Sequence, residues 1–91
     1  MTGVQIHIPS FLQLYTDNTS LDYVDGSTIM ECLTILAERF PELKSRLFNS
    51  EDKVRPELYI YLNKSQVHPQ ELSRPVTDGD KLYIAHVIAG G

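Results

Sequence analysis

The stretch "DGDKLYIAHVIAGG" (78–91) decides how the rest of the chain is read. Asp78-Gly79-Asp80 is turn chemistry, because short polar side chains bond their own backbone and glycine supplies the φ values a tight turn needs. Beyond it Leu82 and Ile84 alternate with Tyr83 at period two, which predicts a strand with Leu82 and Ile84 inward and Tyr83 outward. The strand then runs through apolar residues into Ala89, Gly90 and Gly91. A folded domain gains little by closing on its two most flexible residues, whereas a group that must be threaded into another protein's active site gains a good deal.

Working outward, "ELYIYLN" (57–63) alternates in the same way, with Leu58, Ile60 and Leu62 on one face and Tyr59 and Tyr61 on the other. "QVH" (66–68) reads as a short edge piece. At the other end "VQIHI" (4–8) puts Val4, Ile6 and Ile8 toward a core and Gln5 and His7 away from it. Pro9 and Ser10 break the run, and Phe11, Leu12 and Leu14 keep the turn apolar. "SLDYV" (20–24) then completes an expected hairpin. Between these segments the period changes: Ile29, Leu33, Leu36, Ala37 and Phe40 form one helical stripe. Thr28 and Glu31 have capping-box spacing, and Pro41 stops the helix because it brings no N–H and disfavours helical geometry at Phe40. Leu43, Leu47 and Phe48 suggest one further short turn, and "NSEDKVRP" (49–56) a polar loop. The order strand, strand, helix, loop, strand, short strand, strand is an α+β pattern, in which one helix on one face of a mixed sheet buries every stripe. Residues 1–87 are expected to form the domain and 88–91 a flexible tail.

With 91 residues and 42% hydrophobic composition, the chain can build one core without metal or disulfides. A net charge of −4 without a basic cluster argues against nucleic acid and anionic membranes, which need concentrated Lys and Arg. Neither a secretory signal nor a long apolar span is evident. Cys32 is the single cysteine, which fits a reducing cytoplasm and reads as a small core residue. The sequence offers no catalytic constellation: the five glycines never form a phosphate loop, and His7, His68 and His86 are far apart with no metal-ligand spacing.

"IPS" (8–10), "GSTIMECLTILAERFPEL" (26–43), "LYIYLN" (58–63) and the D-G-D turn followed by a strand and A-G-G together resemble the MoaD/ThiS family of small sulfur carriers, across essentially the whole chain. Within that family the pattern is most similar to the CysO-type carriers of cysteine biosynthesis. The resemblance implies a ubiquitin-like β-grasp fold, a mixed sheet of four to five strands with one main helix on one face. It also implies a cytoplasmic carrier and not an enzyme: a ubiquitin-activating-type partner would adenylate the Gly91 carboxylate with ATP, and a sulfur donor would convert it to a thiocarboxylate, 1-thioglycine. Gly90 and Ala89 would thread the tail. No cofactor would be bound permanently and no metal is expected. The acceptor would be a synthase of the cysteine synthase, molybdopterin synthase large-subunit or thiazole synthase type. Where family members often carry Pro shortly before the glycines, this chain has His86. On the helix-free face Tyr59, Tyr61 and Tyr83, with His7, form an expected docking patch of the kind enriched at interfaces, and His86 is counted to the same surface. Two other readings share these residues: a protein modifier joined through Gly91 to lysines, and a non-covalent ubiquitin-like binding module.

Overall fold

The computed structural model describes residues 3–86. The chain forms β1 (Val4–His7), a 3-10 helix (Ser10–Tyr15), β2 (Leu21–Val24), α1 (Ile29–Arg39), α2 (Pro41–Leu47), β3 (Leu58–Leu62), β4 (Ser65–Val67), a second 3-10 turn (Pro69–Glu71) and β5 (Lys81–His86). The five strands make one mixed sheet in the order β2-β1-β5-β3-β4, the upper end of the expected four to five. β1 and β5 run parallel and the other pairs antiparallel.

Alternation does what the pattern demands. Ile6 lies opposite Leu82, and Leu82 and Ile84 oppose Leu62 and Ile60, so a single face of the sheet is apolar. α1 covers that face with Ile29, Cys32, Leu33, Leu36 and Ala37, all buried. Phe40, at the end of the expected stripe, packs on the core only partly buried. Thr28 caps α1 by accepting from the Glu31 N–H at 3.1 Å. Glu31 reaches back one residue further than a standard capping box would take it, to the Ser27 N–H at 2.7 Å. The first two helical N–H groups, of Ile29 and Met30, donate to the carbonyls of Arg74 and Leu72, so the segment before β5 closes the orphaned end of the helix.

Three expectations need adjustment. The apolar turn after β1 is a 3-10 helix that buries Leu12 but leaves Leu14 77% exposed. β1 and β2 pair as expected, yet this helix lies between them, so the hairpin is not a tight one. The "further short turn" is a seven-residue helix with Pro41 in its first turn: the residue that ends α1 begins α2, since a missing N–H costs nothing at a helix start. No helix among the described residues is long and apolar enough to cross a membrane.

Candidate functional site

β5 holds the central position of the sheet, paired on both sides, and its last residue, His86, stands five residues before Gly91. Ala89, Gly90 and Gly91 lie outside the described residues. The start of β5 is fixed by the D-G-D turn. Asp80 N–H donates to the Thr77 carbonyl at 3.1 Å, and Gly79 takes a φ of +91°, a backbone conformation that favours glycine. The Asp78 carboxylate accepts from Gly3 N–H at 3.1 Å, tying the turn to the entry of β1. Asp80 accepts from Thr77 N–H at 2.9 Å; that bond is the main reason its carboxyl sits below the usual carboxylate range. Both aspartates are turn formers, as their types suggest. Asn63 adds a clamp the sequence did not advertise: its side-chain oxygen accepts from Lys81 N–H at 3.1 Å and its amide donates to Asp80 at 3.3 Å.

The helix-free face carries the expected patch. In register, Leu21, His7, Tyr83, Tyr61 and Gln66 form one row across all five strands. Tyr59 stands one step along, opposite Ala85 and 40% exposed. The His7 and Tyr83 rings stack with centroids 4.3 Å apart and planes 16° from parallel. Stacking buries His7 Nε2 without a hydrogen-bond partner among the described residues. Burial first, and the Lys81 ammonium second, hold this imidazole below its ordinary value, so the ring stacked on Tyr83 is uncharged near neutral pH. Leu21 and Gln66 are the members that sequence reading missed, because only the β1–β2 and β3–β4 registers place them beside His7 and Tyr61.

His86 is not part of this row. It shares the inward parity of Leu82 and Ile84, lies opposite Leu58 and meets Phe11 edge to face at 5.0 Å. It therefore sits at the rim of the helix side, which separates it from the tyrosines with which it was grouped. His68 is exposed and its N–H donates to Glu71. Cys32 is fully buried, and burial pushes its thiol up to about 11, so it is no nucleophile. Among the described residues no group of three His, Cys, Asp or Glu could hold a metal ion. What the geometry offers is a flat aromatic face and a central strand aimed at the tail, which suits binding.

Residues 8–91 match the ThiS family. The fold superposes on a chain of the Amycolatopsis orientalis BexX/CysO complex at 30% identity and TM-score 0.86, over 98% of this chain and 100% of that one. Mycobacterium tuberculosis CysO is similar at 24% identity and TM-score 0.83, over 94% of this chain and 100% of that one. Small archaeal modifier protein 1 from Methanosarcina acetivorans, at 20% identity and TM-score 0.84, aligns over 100% of this chain and 99% of that one; these last two likenesses are of fold alone. Among curated proteins none matches the sequence.

Proposed function

The chain belongs to the ThiS family of ubiquitin-like sulfur carriers, which are carrier proteins and not enzymes, and on that premise we propose that Gly91 is the carrying residue. A carboxylate is a poor electrophile, so it must first gain a leaving group. A Gly91 carboxylate oxygen attacks the α-phosphorus of ATP, pyrophosphate departs, and an acyl adenylate forms. Sulfide-level sulfur from a donor then attacks the acyl carbon, AMP leaves, and the thiocarboxylate results. Every catalytic group belongs to the partner enzymes. Gly90 and Gly91 pass through a narrow channel because they lack Cβ, and an acceptor synthase takes the sulfur onward.

The observation that carries this reading is that a family carrier's central strand leads to Ala89-Gly90-Gly91. The Tyr59, Tyr61 and Tyr83 face is the docking platform for those enzymes, as the relative in the BexX/CysO complex is held by a partner of its own. Replacing Tyr83 by Ser weakens the complex with the adenylating enzyme by about tenfold, on the scale of a central interface aromatic, while the domain stays folded. Equal affinity in calorimetry would remove the docking assignment. The function itself is tested by ATP-dependent pyrophosphate release. The full chain supports turnover by its adenylating enzyme and a chain lacking Gly91 does not, whereas equal turnover would exclude Gly91 as the activated residue.

A further inference from the structure

A cleft of about 300 Å³ opens at the root of the tail, on the opposite side of the sheet from the aromatic face. β1 and β5 end at this edge and β3 begins there. Its walls include Phe11 and Tyr15 from the 3-10 helix, Arg46 of α2, Arg55 and Glu57 before β3, and His86.

Among the described residues neither arginine has an acidic partner. The Arg46 guanidinium lies over the Tyr15 ring at 4.6 Å, a cation–π contact that orients it. Arg55 Nε donates to the Ser45 carbonyl at 2.7 Å. The ion pair among the described residues joins Arg39 to Asp22 at 2.8 Å; Glu57, on the same wall, pairs with neither cleft arginine. A chain of net charge −4 thus places two oriented cations in one recess. In the same recess lies one of its exposed large apolar side chains, Phe11 at 45%.

Geometry limits what covers this recess. A five-residue backbone spans at most about 17 Å, so an enzyme that acts at Gly91 brings its surface within that distance of His86, which is itself part of the cleft wall. Charge says what that surface carries. Moving an anionic carboxylate on an acidic protein toward a nucleotide triphosphate is repulsive, and local pairing at the tail root offsets it. We propose that the cleft receives a loop of the adenylating enzyme bearing Asp or Glu side chains, which pair with Arg46 and Arg55, while Phe11 enters an apolar socket beside them. The assignment rests on the carrier reading above and names the partner chemistry of its first step.

Pyrophosphate release by the adenylating enzyme, measured against carrier concentration, is the test. For Arg46→Glu, KM rises by about tenfold or more while kcat at saturation stays within about twofold, because docking is lost and the tail chemistry is kept. Arg46→Lys recovers most of the loss. Arg55→Gln raises KM in the same sense, and both variants flatten the decline of wild-type kcat/KM with salt. Unchanged KM and salt dependence in both, with the wild type turned over, would overturn the cleft assignment and leave the carrier reading standing. No turnover of the wild type, by an enzyme active on another carrier, would overturn the carrier reading itself, and this proposal with it.

Discussion

Cys32 and His7 show how single residues acquire their character from the fold. A cysteine with full burial and a thiol pushed up to about 11 is protected both from contact and from ionisation. A maleimide reagent at pH 7.5 therefore labels it only as fast as the chain opens, and labelling becomes rapid in denaturant; fast labelling of the native protein would contradict the placement. His7 is the inverse of the usual stabilised cation. Its imidazole is held below 6.5 in the fold, while the unfolded chain protonates near 6.5, so between those values the unfolded state binds the proton better. The stability tied to neutral His7 is complete above about pH 6.5 and is lost as pH falls toward the folded value. His7→Phe keeps the stack on Tyr83 and removes both the titration and the partnerless Nε2. Its loss of urea midpoint between pH 7.5 and 5.5 is expected to be smaller than that of the wild type, and an equal loss would count against the burial of His7. The burial of Cys32 was legible from its place beside the helical stripe. The state of His7 was not, because it depends on Tyr83, seventy-six positions away in sequence.

At the scale of elements, local period and cap chemistry carried most of the information. α1 begins at Thr28 because one hydroxyl satisfies an N–H that the helix cannot. Thr28→Ala is expected to lower stability by about 1 kcal/mol in urea denaturation, and a change near zero would mean that the backbone bonds from Ile29 and Met30 to the 72–74 segment hold this end unaided. Strands β3 and β5 were readable because inward and outward residues alternate without fault. The 3-10 helix at 10–15 was not: it is short, follows a proline and buries only Leu12, so it leaves no helical stripe. Nor was α2, since Pro41 marks the stop of one helix and the start of another with the same chemistry. His86 shows the limit of grouping residues by type. Two histidines near the ends of neighbouring strands fall on opposite faces because their parities differ.

For the molecule as a whole, the sequence named the layers but not their order. The parallel pairing of β1 with β5 joins residues seventy-six positions apart, His7 with Tyr83, and no local pattern encodes such a register. Once made, it puts the tail-bearing strand at the centre of the sheet, supported on both sides, and divides the surface into an aromatic face and a basic cleft. The central claim is that this body is a handle for one carboxylate. It is tested most directly by the intact mass of the protein after incubation with its adenylating enzyme, ATP and sulfide, beside a chain lacking Gly91. The account predicts a gain equal to sulfur replacing oxygen, confined to the full-length chain and abolished when ATP is omitted. An unchanged mass, from an enzyme shown to load another carrier in the same mixture, would contradict it.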